Sequence, residues 1–247
     1  MTEPPESEGA GFAGAESGRL SRVFTTRRRI SLSDTDAEGR LRLDAIARYL
    51  QDVASEDWLD AGFDHDSHVW VVRRTQLTVY ELFRPEDWIG IETWCSGVAG
   101  SAASRRYSIR GEAGGRVEAE SIWIHLDHDL RPKRLGEEFL AIYGASAAGN
   151  RAQTRFTLPM PDELGGDPWS FRATDVDRLG HINNAAYWVA VEDRWPARLR
   201  GPARAALEYR QPIDLGEPVE LVEGREILWF RVGDEIRAAA AVYYATP

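Results

Sequence analysis

The chain has 247 residues, 43% of them hydrophobic and 10% aromatic, with nine tryptophans and a formal net charge of −10. That is enough apolar material for a large core or a fused pair of modest domains, and it excludes an intrinsically disordered chain. The negative balance argues against a general binder of nucleic acid or of anionic membranes. No apolar run approaches a membrane span, and the single cysteine, Cys95, excludes an intrachain disulfide and a thiolate-built metal site.

Residues 1–21 are rich in Gly, Ala, Ser and Glu, and read as a disordered tail. No basic segment followed by an apolar one opens the chain, so a cytoplasmic protein is expected. Val23–Leu32 alternates as a strand does and runs into a DTD turn. Ile46, Leu50, Val53 and Trp58 then recur at helical spacing through Asp44–Ala61, with Asp44 placed to cap the helix. From Trp70 the period becomes two. VWVVRRTQLTVYELFRP, WIGIETWCSG, SRRYSIRGE and VEAESIWIHLD are four strands of an antiparallel meander, whose natural packing partner is the preceding helix.

Residues 136–168 have linker composition, with AIYGASAAGNRAQ, LPMP and DELGGDP. Afterwards the order repeats: a strand around Phe171–Ala173, a DVD turn, a helix with Asn183 and Asn184 at its start, then four more strandlike runs. The expected fold is α+β, two tandem hotdogs, each a long helix wrapped by a curled antiparallel sheet. The divisions are a tail at 1–21, a first hotdog at 22–135, a linker at 136–168 and a second hotdog at 169–247.

The two halves align without a gap around their turns. SDTDAEGRLRLDAIARYLQD matches TDVDRLGHINNAAYWVAVED, so that Asp34 meets Asp175, Asp36 meets Asp177, Gly39 meets Gly180 and Asp52 meets Asp193, each pair 141 positions apart. The copies differ where chemistry would sit. Arg40, Arg42 and Leu43 stand against His181, Asn183 and Asn184.

A polarised carbonyl could be met in this turn by a base or nucleophile and by a donor for the developing oxyanion together. Asp177 suits the first role, either attacking the carbonyl or deprotonating a water; both remain open. His181 would orient the water or the carbonyl, or protonate the leaving group. Gly180 supports the loop, and N–H groups at Gly180–His181 or in the first helical turn after Asn183 and Asn184 would hold the oxyanion. Asp175 reads as a turn carboxylate, because its counterpart persists in the unreactive copy. Glu192 reads as a polar anchor on the helix. The first half is left free to line an apolar substrate channel, with Ile46, Leu50, Trp70, Leu77, Val79 and Trp94 as candidates by alternation. His125 and His128 lie at i,i+3 on a strand, on opposite faces with no third ligand, so no metal and no cofactor are expected.

These segments resemble the fatty acyl carrier protein (ACP) thioesterases of plants and bacteria. WVVRRTQLTVYELFRPEDWIGIETW is similar to their first-domain sheet, AESIWIHLDHDLRPKRL to the strand and turn closing it, DVDRLGHINNAAYW to their catalytic loop and LEYR to the strand after the second helix. The resemblance runs from about Thr26 to Ala245. It implies hydrolysis of the thioester between a fatty acyl chain and ACP, with Asp177 and His181 in the places of the family's catalytic aspartate and histidine. Three positions depart: Leu179 replaces an asparagine, and Pro212 and Ile213 replace a Glu-Cys pair. Glu208 offers a substitute third carboxylate, against the weightier reading of an ion pair with Arg210. The partner implied is acyl-ACP. Two other readings stay in play: an acyl-CoA thioesterase of the wider hotdog group, and an acyl-carrier binding protein without hydrolysis. Two fused hotdogs make a monomeric pseudo-dimer, with a homodimer as the alternative.

Overall fold

The computed structural model describes residues 22–64, 68–161, 165–196 and 202–244. The expected tail at 1–21 lies outside them. Ten strands form one antiparallel sheet. In chain order the first half supplies β1 (Phe24–Arg29), the helix α1 (Leu43–Asp60), β2 (Val69–Glu81), β3 (Trp88–Ala99), β4 (Ala102–Gly111) and β5 (Arg116–Leu126). The second supplies β6 (Asp167–Trp169), the helix α3 (Ala186–Arg194), β7 (Ala203–Tyr209), β8 (Val219–Glu223), β9 (Ile227–Val232) and β10 (Glu235–Tyr244), and a short helix α2 (Glu137–Tyr143) lies between the halves.

The strand order, β1-β3-β4-β5-β2-β7-β10-β9-β8-β6, is a palindrome of the duplication. Each strand of the first half has its counterpart at the mirrored place in the second, and the halves join where β2 pairs with β7, from Arg74 opposite Glu208 to Val79 opposite Ala203. The 141-residue offset governs detail as well. A 3-10 turn at Leu32–Asp34 recurs at Ala173–Asp175, and the bridge Thr35–Leu41 recurs as Val176–Ile182.

α1 forms because its apolar positions fall on one stripe. Ile46, Leu50 and Val53 are at most 2% exposed, and each contributes about 1.5–3 kcal/mol by leaving water. They share one core with Trp188 of α3 and with Leu77, Val79, Leu207 and Phe230 of the sheet. Asp44 does not cap α1. The N-cap is Arg42, and Asp44, 4% exposed, is a first-turn carboxylate clamped by Arg42 and Arg48. The Leu43 N–H at the helix start is bound instead by Glu192 Oε1 of α3, at 2.9 Å. The anchor read in Glu192 is therefore a cap supplied by the other half.

Burial pushes the Glu192 carboxyl up to about 7, and its Oε2 has no hydrogen-bond partner among the described residues. A raised folded value means that its stabilising contribution is full below the ordinary range near 4.5 and is lost as pH rises through about 7. Glu192→Gln keeps the acceptor for Leu43 without the ionisation. Thermal melts of both proteins should diverge between pH 5 and pH 8, the variant gaining about 2 kcal/mol at the upper end. A constant difference across that range would refute the assignment.

Other differences are local. The strand expected around Phe171–Ala173 lies earlier, at Asp167–Trp169, across the end of the stretch read as linker, because residues 173–175 wind into the 3-10 turn. α3 starts at Ala186, with Ala185 rather than an asparagine at its N-cap. The stretch read as linker is built into the molecule. Phe139, Tyr143 and Ala147 form a second core with Trp58, Phe63, Cys95 and Ala103, while Leu158 joins a third with Val222 and Trp229. Its helix spans only seven residues, EEFLAIY, about two turns, too short for a helical period to show against the Gly- and Ala-rich stretch around it.

Candidate active site

The turn before each helix is closed by an aspartate. In the second half Asp177 N–H donates to His181 O at 2.8 Å, Gly180 N–H to Asp177 O at 3.1 Å, and Asp177 Oδ1 accepts from Leu179 N–H at 2.8 Å and His181 N–H at 3.3 Å. Gly180 sits at φ +86°, a conformation that a side chain would strain. The first half repeats this loop around Asp36, with Gly39 at φ +73°. One carboxylate oxygen is thus structural in both copies.

The other oxygen separates them. Asp36 Oδ2 is held by Arg40 Nε at 2.9 Å and Nη2 at 2.7 Å, and its carboxyl is lowered below the usual range: burial opposes this, and the bonds from Arg40 outweigh it. Asp177 Oδ2 accepts nothing from any described residue, because the position of Arg40 is held by His181. Asp177 stands in the wall of a cavity of about 540 Å³, together with Gln51, Leu179, Asn183 and Asn184.

The helix starts show the same division. Asn183 Oδ1 accepts from Ala185 N–H at 2.8 Å, and its carbonyl accepts from Ala186 N–H at 2.9 Å. Its amide exchanges long hydrogen bonds of 3.3 and 3.4 Å with Gln51 of α1. Gln51 and Glu192 are themselves counterparts, 141 positions apart. Glu192 occupies the Leu43 N–H, whereas Gln51 turns to the Asn183 side chain. The backbone N–H of Asn184, the counterpart of Leu43, consequently donates to no described residue. It lies at the positive end of α3, on the cavity wall. The Asn184 carbonyl is fixed by the Tyr209 hydroxyl at 2.8 Å. Gln51, from the other half, is the site residue that sequence reasoning missed; its signal was the alignment with Glu192.

The remaining candidates divide. The Gly180 and His181 N–H groups are spent inside the loop, so of the two expected oxyanion donors only the one at the helix start is left. The His181 imidazole is half-buried and outside the cavity wall, with Nε2 at 3.8 Å from Asp214 Oδ1. Asp175 is paired with Arg172 at 2.7 Å, as a turn carboxylate would be. Glu208 cannot reach the site. It is fully buried on the face of β7 opposite Tyr209, where it accepts from Thr157 N–H at 2.6 Å, Thr157 Oγ1 at 2.9 Å and Leu158 N–H at 3.2 Å, with Arg210 at 3.7 Å.

Of the six residues expected to line the channel, Trp70 does. Ile46, Leu50, Leu77 and Val79 belong instead to the closed core, and Trp94 lies on the face of β3 away from Cys95. The cavity runs along a different stripe of α1, Gln51, Ala54, Ser55 and Trp58, and ends against Trp70 and Phe139. His125 faces His68, their rings 5.1 Å apart, and not His128.

One curled antiparallel sheet in two halves, each wrapped on a helix and joined edge to edge through β2 and β7, makes a double hotdog. A family model described as the acyl-ACP thioesterase N-terminal domain matches residues 21–143, and one for the C-terminal domain matches residues 162–239. The chain belongs to the acyl-ACP thioesterase family and is a thioester hydrolase acting on acyl-ACP. A Mycobacterium tuberculosis protein described as uncharacterised is 37% identical over 227 residues, which cover 88% of this chain and 90% of that protein. The fold is similar to that of the 12:0-ACP thioesterase from Umbellularia californica (TM-score 0.73, 18% identity, 89% of this chain and 96% of the other). An acyl-ACP thioesterase from Bacteroides thetaiotaomicron is similar with a TM-score of 0.67, at the same identity and coverage.

Proposed function

We propose that hydrolysis of the acyl-ACP thioester takes place between Asp177 and the start of α3. The supporting observation is the asymmetry of the two copies: Asp36 Oδ2 and the Leu43 N–H are occupied by Arg40 and Glu192, whereas their counterparts, Asp177 Oδ2 and the Asn184 N–H, have no partner among the described residues, and Asp177 and Asn184 line one cavity. The thioester carbonyl lies against the Asn184 N–H, which takes up the negative charge as the carbonyl becomes tetrahedral, assisted by the helix dipole. Asp177 Oδ2 either attacks the carbonyl carbon, giving a mixed anhydride that water then opens, or takes the proton of an attacking water. In both routes the carbon–sulfur bond breaks, the fatty acid is released, and the carrier thiolate is protonated.

His181 contributes through the loop, since its backbone clasps Asp177 at both ends while its ring is steered toward Asp214. His181→Ala keeps that backbone clasp and loses only the ring's contact with Asp214, so it should lower kcat by no more than about tenfold, far less than loss of the Asp177 carboxylate, in a steady-state assay of thiol release. A loss equal to that of the Asp177 variant would place the imidazole among the reacting groups.

The protein works in the cytoplasm, in fatty acid biosynthesis, as a monomer, because β2–β7 pairing and the packing of α1 and α3 in one core satisfy within one chain what a hotdog dimer shares between two. The test is thiol release from matched acyl chains carried on ACP and on CoA, with the first turned over at the higher kcat/KM. A clear preference for CoA would overturn the carrier assignment, and binding of acyl-ACP with no thiol released would overturn hydrolysis.

A further inference from the structure

The cavity reached by Asp177 is not a hydrocarbon slot throughout. Arg105 of β4 belongs to its wall, with a side chain 11% exposed. Its Nη1 meets Asp57 Oδ2 at 2.6 Å and Thr93 Oγ1 at 3.3 Å, while Nε and Nη2 donate to no described residue. A guanidinium carries five N–H donors, and those left over lose water without return when only alkyl chain fills the space. Trp70, in the same wall, has its indole N–H buried without a hydrogen-bond partner among the described residues.

The charge around Arg105 is already balanced. Asp57, 1% exposed, is shared by Arg105 and Arg22, and Arg22 also reaches Asp60 at 2.7 Å. Two guanidinium groups therefore face two carboxylates. A further carboxylate would be a buried charge with no counterion, whereas a neutral oxygen can accept the spare N–H bonds. Gln51 marks the site end of the α1 stripe, and Asp57, which holds Arg105, lies six residues further along α1, a rise of roughly 9 Å along the helix axis, so Arg105 belongs to a part of the cavity wall set back from that end.

We propose that the preferred acyl chain carries a neutral oxygen, a hydroxyl or a keto group, several carbons from the thioester, which accepts hydrogen bonds from Arg105. This rests on the reading that the cavity beside Asp177 holds the acyl group. The test uses non-hydrolysable pantetheine amides of decanoic acid, unsubstituted, with a hydroxyl or keto group at successive carbons, or with a terminal carboxyl. Their binding to the full chain is followed by tryptophan fluorescence, and kcat/KM is measured for the corresponding ACP thioesters. One oxygenated position should bind about tenfold or more tighter than the plain chain. Arg105→Lys, which keeps the charge beside Asp57 and loses the planar fork, should erase that preference with little change in melting temperature. The proposal is overturned if the plain or carboxyl-ended amide binds as well as the best oxygenated one, or if Arg105→Lys retains the preference. The wild-type comparison decides even where that variant does not fold. A clear binding preference with every thioester left intact would support the oxygen site and refute hydrolysis alone.

Discussion

Asp177→Asn should cost about 10³-fold in kcat with KM and melting temperature nearly unchanged. The reason lies in the two oxygens of one carboxylate. Oδ1 ties the loop by accepting from Leu179 and His181, and an asparagine presents an oxygen in the same place, so the turn survives. Oδ2 is the atom without a described partner, and an amide nitrogen there neither attacks a carbonyl nor accepts a proton from water. Asp36→Asn is the matched control. Its loop is the same, yet both its oxygens are engaged by Arg40 and the local backbone, and thiol release should stay within about twofold of wild type. Comparable turnover in Asp177→Asn and wild type would remove the proposed site, whatever the overall activity.

The second large effect is on folding. Asp57→Ala should destabilise the protein by about 3–5 kcal/mol, because it strips the shared anion from Arg22 and Arg105 and leaves a buried guanidinium uncompensated. For a chain of this size that corresponds to a fall in melting temperature of about 6–20 °C. Tyr143 registers the same environment: its hydroxyl lies 3.3 Å from the Asp57 carbonyl, Arg105 lies 5.5 Å from its ring centroid, and burial pushes it up to about 12. Thermal melting of the variant decides the matter, and a loss below about 1 kcal/mol would mean that water reaches the guanidinium once Asp57 is gone.

The sequence by itself determined the duplication, the order of elements within each copy and the loop carrying Asp177. Those properties are local and periodic: an aspartate four residues before a clasped backbone, a glycine at positive φ, alternation in strands and a stripe on α1. The offset of 141 positions was legible because the two halves still obey the same turn chemistry. What each copy does with that turn was legible only in part. Arg40 against His181 announced that the two turns differ, and the structure adds how: an arginine fills the carboxylate of the first and a glutamate fills its helix start. Glu192 and Leu43 are 149 positions apart, and Gln51 and Asn183 are 132 apart. No spacing rule reaches across such separations; they meet because two helices share one core.

Tertiary structure alone decided which face of each element meets the cavity. Leu50 and Ala54 lie on one helix, and period and hydrophobicity favour Leu50 as a lining residue. Large apolar groups are drawn into the closed core between helix and sheet, and the small and polar ones of Gln51, Ala54 and Ser55 are left to border open space. Glu208 went the other way for the same kind of reason. Alternation put a carboxylate near the site in sequence, but the path of residues 157–158 across the outer face of β7 supplied N–H donors, and a buried charge settles where donors are.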